Sequence, residues 1–126
     1  MVIKLEIRSF ISGDVDDLST WCPSLASDVY IHVEMEIGEV GALGAYLFSA
    51  IIATPEGLNN HHKGEALKSF KIIQRRRGGG GLVIVNEYNW KEVRCKLEEI
   101  VSRCEKEGWD ESLDCLRKKF FWEYEK

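Results

Sequence analysis

Apolar and polar residues alternate along two stretches of the N-terminal half, a pattern typical of strands that are buried on one face. From Ile3 to Arg8, every second residue is apolar and each of the others is charged. From Val29 to Ile37 the alternation continues, and the residues on its polar side are Tyr30, His32, Glu34 and Glu36. We therefore expect two half-buried strands.

A third strand is predicted by an apolar run. The segment from Tyr46 to Ala53 is apolar at nearly every position, which suits a strand covered on both faces. Gly38, Gly41 and Gly44 precede it and indicate a loop. The second and third strands are therefore expected to form an antiparallel hairpin.

Helix-forming residues begin directly after this hairpin. Thr54 and Pro55 suit the N-cap and the first position of a short helix that continues through Leu58. From Asn59 to Gln74 the pattern is mixed, because the charged residues define no single face, although apolar residues recur at helical spacing at Leu67, Phe70 and Ile73.

A loop rich in arginine and glycine separates the two halves of the chain. It extends from Arg75 to Gly81 and ends in four consecutive glycines, whose ordering costs much conformational entropy. We expect this loop to be flexible. The apolar run from Leu82 to Val85 that follows predicts a short buried strand.

Two helices are predicted in the C-terminal part. Asn89 and Glu92 have the spacing of a capping box, and an apolar stripe follows at Trp90, Val93, Leu97, Ile100, Val101 and Cys104. Gly108 is expected to end this helix, and a second helix is expected to begin at Asp110. Aromatic residues also recur at every second position toward the end of the chain, at Phe120, Trp122 and Tyr124, an alternation that is also compatible with a terminal strand.

Length and composition indicate one domain over residues 1–126. The fold class that the elements predict is α+β, with an antiparallel sheet packed against the C-terminal helices. The net charge of −4 argues against general affinity for nucleic acid. Charges interrupt the N-terminal apolar residues and no run reaches the roughly 20 apolar residues of a membrane span, so we expect a cytoplasmic protein without a membrane partner.

No residue pattern indicates catalysis, a cofactor or a metal. The four cysteines, Cys22, Cys95, Cys104 and Cys115, lack C-x-x-C spacing and a nearby histidine, so free buried thiols are expected. His61 and His62 have no third ligand beside them, and His32 has no nucleophile. We therefore expect no enzyme activity, no cofactor and no metal site.

The order and spacing of several segments resemble one known family. These segments are Ser12–Leu18, Glu36–Gly38, Ala53–Leu58, Val83–Trp90 and Phe121–Glu125. In this order they are similar to the immunity protein 8 family of bacterial polymorphic-toxin and contact-dependent growth inhibition systems. The chain departs from the family pattern at Gly13, where proline is frequent, at Gly57, where an aromatic residue is frequent, and in the arginine and glycine loop.

The resemblance implies a cognate toxin, commonly a nuclease, that is neutralised by stoichiometric binding. An acidic protein suits the basic surface with which a nuclease holds phosphates. We predict toxin contacts by acidic residues in the first loop and along the second strand, with two aromatic anchors: Asp14, Asp16, Asp17, Glu34, Glu36 and Glu39, together with Trp21 and Tyr30.

Two other functions remain open at this stage. The alternative is a small nucleic-acid-binding module that uses Arg75, Arg76 and Arg77 in the loop ending at Gly81. The third is an enzyme of a type that these motifs do not mark. The sequence carries no signal for the oligomeric state.

Overall fold

Five strands and three helices make up the described part of the computed structural model, residues 2–61 and 81–122. In chain order they are β1 (Leu5–Ile11), β2 (Tyr30–Glu39), β3 (Tyr46–Ala53), α1 (Pro55–His61), β4 (Leu82–Ile84), α2 (Trp90–Ser102), α3 (Trp109–Lys119) and β5 (Phe121–Trp122). One sheet contains all five strands. The predicted α+β class is confirmed.

The sheet has β1, β2 and β3 side by side, and β3 shares its other edge between two short strands. The predicted hairpin of β2 and β3 is antiparallel, with Tyr30 opposite Ala53 and Ile37 opposite Tyr46. Near one end of β3, β5 pairs antiparallel at Phe48 and Ser49. At the other end β4 pairs parallel to β3, so the sheet is mixed.

A bulge in β1 explains why this strand extends past the prediction. The register with β2 shifts between Ile7 and Ser9, so that one extra residue lies in β1. Ile7 pairs with Ile37 and Phe10 with Met35, which places both apolar side chains on the same face. Arg8 and Ser9 consequently point away from that face. The simple alternation ends at Arg8, but the strand continues to Ile11.

The hydrophobic core lies between one face of the sheet and the helices α2 and α3. From β2 the side chains of Val33, Met35 and Ile37 are fully buried. The predicted stripe of α2 packs against them with Val93, Leu97 and Val101, and α3 adds Leu116. Edge-to-face ring contacts tie the layers together: Phe10 with Trp90 at 5.1 Å and Phe48 with Phe120 at 6.5 Å between centroids.

The ends of the C-terminal helices differ in part from the prediction. Asn89 caps α2 as expected, since its side chain accepts a hydrogen bond from the Glu92 N–H at 3.3 Å. The helix ends at Ser102, so the prediction that Gly108 ends it is wrong. Gly108 instead lies at the N-cap of α3 in extended backbone. The terminal strand that the alternation left open forms as β5.

The expectation of four free buried thiols is wrong. Cys104 follows α2 and Cys115 lies in α3, and the two form a disulfide with a Cα–Cα distance of 5.3 Å. Cys22 and Cys95 are free but exposed. Sequence spacing did not show the pairing, because it depends on how α2 and α3 turn toward each other.

Some predictions fall outside the described residues. These are the segment after His61 in the mixed region, the arginine and glycine loop up to Gly80, and the tail after Trp122. Gly81 is described, and it is held on two sides: its N–H donates to Lys119 and its C=O accepts from Ile51. Over residues 2–61 and 81–122, no helix is long and apolar enough to cross a lipid bilayer.

Candidate functional site

The sheet face opposite the core, here called the open face, carries most of the polar strand residues. Its register brings Ser9 opposite Glu36, and Glu34 opposite both Ile11 and Ser49. The open face therefore comprises Glu6, Arg8, Ser9 and Ile11 of β1, Tyr30, His32, Glu34, Glu36 and Gly38 of β2, and Leu47, Ser49, Ile51 and Ala53 of β3.

One end of the open face is apolar and covered. Ile51 and Ala53 are buried there beneath a small cluster that consists of Tyr30, Leu58, Leu82 and Phe121. The expectation that β3 is covered on both faces is met at this end. Toward the other end, Leu47 and Ser49 are only half buried, so the polar part of the open face stays accessible.

Three carboxylates occupy this accessible part. Glu36 is exposed and accepts a hydrogen bond from Ser9 Oγ at 3.0 Å. Glu34 lies two residues away on β2, a separation of roughly 7 Å along the strand. Glu6 of β1 accepts from Arg8 Nε at 3.1 Å. We call Glu6, Glu34 and Glu36 the acidic strip.

Asp14 extends this negative surface at the edge of β2. Its Oδ2 accepts from the His32 N–H at 2.7 Å, while Ser12 Oγ donates to the His32 C=O at 2.6 Å. These two side chains continue the pairing with β2 beyond the end of β1. Burial raises the pKa of Tyr30 above 10.0, and the nearby Asp14 carboxylate raises it further. The structure thus brings Asp14 and Tyr30 close together.

The other two aspartates of the first loop do not join the strip. The Asp17 carboxylate accepts from the Ser19 hydroxyl at 2.6 Å and from the Ser19 N–H at 2.9 Å. These hydrogen bonds lower the pKa of Asp17 below 3.8 and stabilise its own turn. Asp16 is exposed beside it. Asp16 and Asp17 can therefore contact a partner that reaches the loop, but they do not extend the acidic strip.

The two predicted aromatic anchors border a common groove. This groove, of about 260 Å³, lies between the loop after Thr20 and the start of β2, and Trp21, Leu25 and Tyr30 are among its lining residues. Trp21 is half buried and packs edge-on against Tyr88, with 4.9 Å between ring centroids. Its position is therefore fixed from one side.

Glu39 lies apart from the other predicted contact residues of β2. It pairs with Leu5, which is buried on the helix side, so strand alternation places Glu39 on that side as well. Glu34 and Glu36 point the opposite way. The proposed set of contacts is therefore divided between two faces and a loop.

Glu6 and Arg8 were not singled out in the sequence. The alternation from Ile3 to Arg8 already placed Glu6 on the polar face, so its period-2 pattern was sufficient to find it. The position of Arg8 depends on the bulge, and its role depends on contacts with the β2–β3 connection. No local sequence pattern indicates either of them. Within residues 2–61 and 81–122, no three His, Cys, Asp or Glu side chains group to hold a metal ion.

Comparison with known proteins identifies the family of the chain. Neither the search of curated proteins nor the search of solved structures found a match. The family model for immunity protein 8 matches residues 5–126, which is nearly the whole chain and includes every strand and helix described above. The chain therefore belongs to the immunity protein 8 family, and it is an immunity protein of a toxin system.

Proposed function

We propose that this protein neutralises its cognate toxin by stoichiometric binding through the open face, and that the toxin is a basic nuclease. The observation that carries the proposal is the acidic strip, Glu6, Glu34 and Glu36, displayed on a sheet whose other face is packed against helices. Inhibition on this proposal takes place in the cytoplasm and needs no catalytic group, since no bond is made or broken.

The charge of the strip suits such a toxin. A nuclease holds phosphates with Arg and Lys side chains, and carboxylates accept charge-assisted hydrogen bonds from both. Glu36 is exposed and hydrated in the free protein, so its burial on binding carries a desolvation cost that a well-placed cationic group of the partner must offset. The strands hold the backbone of these glutamates in place, which limits the backbone entropy lost on binding.

The size of the face indicates that the neighbouring loops also take part. A ten-residue strand is roughly 33 Å long, and three strands are roughly 14 Å wide. The resulting footprint is at most roughly 500 Å², because the cluster over Ile51 and Ala53 covers one end, and it is smaller than the ~800 Å² that each partner buries in a standard interface. The loop with Asp14, Asp16 and Asp17, and the groove of Trp21 and Tyr30, adjoin the face and supply the additional area.

Co-expression with the cognate toxin domain tests the proposal. The wild-type protein is expected to restore growth and to co-purify with the toxin in a fixed ratio. The double change Glu34→Lys and Glu36→Lys should abolish protection. Glu98→Lys with Glu99→Lys makes the same change of charge on exposed positions of α2 and should protect normally. Growth arrest in the presence of folded, soluble wild-type protein would refute the proposal.

The nucleic-acid alternative makes a different prediction. If the Arg75–Gly81 loop held RNA phosphates, the protein would bind random RNA tightly at low salt and weakly at high salt. We expect no measurable binding at either salt concentration, because the net charge of −4 repels the phosphates.

A further inference from the structure

The connection between β2 and β3 carries the most exposed large apolar residue among those described. This connection, Val40 to Gly44, is here called the hairpin tip. The Leu43 side chain is fully exposed, with an accessibility of 101% relative to the free residue, and Val40 is 54% exposed. A single exposed leucine is common on protein surfaces and by itself indicates nothing. The backbone around Leu43 is what distinguishes this one.

Arg8 holds the hairpin tip from below. Its guanidinium donates to three backbone carbonyls: to Glu39 at 2.8 Å, to Ala42 at 2.6 Å and to Leu43 at 3.2 Å. Its Nε donates to the Glu6 carboxylate at 3.1 Å. A planar guanidinium can make such a set of bonds at once, whereas a lysine cannot. The side chain of one β1 residue thus fixes the backbone on both sides of the apolar residues.

The turn itself adds to this rigidity. The Ala42 N–H donates to the Glu39 C=O at 3.0 Å, and Gly41 has a φ of +87°, a conformation that favours glycine. Gly38 lies so close to the Gly44 carbonyl that a Cβ atom at Gly38 would be 2.6 Å from it. The backbone of the hairpin tip is therefore held in one conformation, from which the Leu43 side chain projects into solvent.

The hairpin tip is also continuous with the acidic strip. Arg8, which supports the tip, belongs to the open face and contacts Glu6 of the strip. Gly38, which packs against the tip, is the next open-face residue of β2 after Glu36. An apolar side chain on a fixed backbone, beside a charged surface, suits an interface anchor with polar surroundings.

We propose that Leu43 inserts into an apolar socket of the cognate toxin, next to the basic groups that face the acidic strip. The inference rests on the proposed function and identifies the part of the toxin surface that is recognised. The socket is concave and apolar, and cationic side chains lie on the side facing Glu36. Arg8 acts as a positioning residue, because it holds the tip and does not itself enter the socket.

The affinity of the purified toxin domain for Leu43→Asp measures the contribution of the socket. We expect Kd to rise at least ~10-fold, since complete burial of a leucine side chain contributes about that much or more. Leu43→Met should change Kd by less than about 3-fold. The matched control is Ile84→Asp, an exposed apolar residue on β4, which pairs with the end of β3 remote from the tip. It should bind like the wild type.

The Leu43→Asp variant distinguishes an apolar contact from simple electrostatic attraction. If the toxin met this region only through basic groups, the added negative charge would leave binding unchanged or make it tighter. Either result, with wild-type binding intact, would overturn the inference and leave the proposed function standing. If the wild-type protein itself fails to bind the toxin, the proposed function fails and this inference fails with it.

Self-association is the competing occupant of the hairpin tip. Sedimentation velocity of the protein alone is expected to show the same species for the wild type and for Leu43→Asp. A wild-type dimer that Leu43→Asp converts to a monomer would overturn the inference, since a second copy would then cover Leu43.

Discussion

The hydroxyl of Thr54 joins the start of α1 to the start of β2. Thr54 is fully buried, and its Oγ1 accepts from the Val29 N–H at 2.9 Å and from the Gly57 N–H at 3.1 Å. Thr54→Val keeps the shape but leaves two buried donors without an acceptor. We expect the free energy of unfolding to fall by about 2–4 kcal/mol in urea denaturation.

Thr54→Ser is the matched control, because it keeps the oxygen and loses only one methyl group. Its expected cost is about 1 kcal/mol. If Thr54→Val and Thr54→Ser lowered the free energy of unfolding equally, the hydrogen bonds accepted by the hydroxyl would contribute nothing to stability. The sequence was sufficient to identify Thr54 as an N-cap, since Pro55 follows it, but the contact with Val29 depends on tertiary structure.

The proximity of Asp14 and Tyr30 can be measured by titration. Burial and the Asp14 carboxylate both keep the Tyr30 phenol neutral, so its pKa lies above 10.0. In Asp14→Asn the electrostatic contribution is lost while burial remains. The pKa of Tyr30 should therefore fall but stay above 10.0, as followed by the NMR signal of the tyrosine ring carbon between about pH 8 and pH 12.

Asp16→Asn provides the comparison for this titration, because Asp16 lies in the same loop but does not affect Tyr30 in the structure. An unchanged Tyr30 pKa in Asp14→Asn would contradict the contact. The sequence alone placed Asp14, Asp16 and Asp17 together as acidic residues of one loop. Their different roles arise from separate partners, His32 for one and Ser19 for another, which no local pattern reveals.

The disulfide links the turn after α2 to α3. Cys104 and Cys115 are separated by 11 residues, and closing a loop of that length stabilises the fold by about 3 kcal/mol through the unfolded chain. Reducing agent should lower the urea midpoint of the wild type accordingly. It should have no effect on the double variant Cys104→Ala and Cys115→Ala.

Thiol titration of the unreduced, unfolded protein completes this test. Two thiols, those of Cys22 and Cys95, are expected to react. Four reactive thiols, or a wild-type midpoint that ignores reductant, would contradict the pairing. Since the cytosol keeps most thiols reduced, action in the cytoplasm also requires that the reduced form remain folded at 37 °C.

At the scale of elements, the sequence predicted which segments form strands and helices better than where they end. The regular alternation of β2 and the stripe of α2 were sufficient because each depends on one buried face. The bulge in β1 was not predictable from period-2 alternation, since the extra residue shifts the pattern by one position. The parallel pairing of β4 was also missed, because three residues carry no information on direction.

At the scale of the molecule, the same alternation predicted part of the candidate site. It placed Tyr30, Glu34 and Glu36 on one face, which the structure shows, and the same rule separates Glu39 from them. The hairpin tip was not predictable as a surface, because its rigidity comes from Arg8 on another strand. Residues that share a strand can be grouped from sequence, but a surface built from several elements requires the fold.

Salt concentration distinguishes the two contributions that the whole surface makes to binding. Attraction between the acidic strip and a basic toxin acts at a distance, so it raises the association rate and is screened by salt. We expect the wild-type association rate to fall about 10-fold or more between 0.05 M and 0.5 M NaCl, as measured by stopped-flow fluorescence. The dissociation rate should change much less.

Variants assign this salt dependence to the acidic strip. Glu34→Gln with Glu36→Gln should slow association at low salt and flatten its salt dependence, because two of the steering charges are gone. Glu98→Gln with Glu99→Gln removes the same number of charges from α2 and should have a smaller effect. Leu43→Ala should accelerate dissociation and keep the salt dependence, since it removes an apolar contact that forms only after encounter and changes no charge. Equal effects of the two glutamine pairs would mean that net charge alone, rather than the open face, steers the toxin.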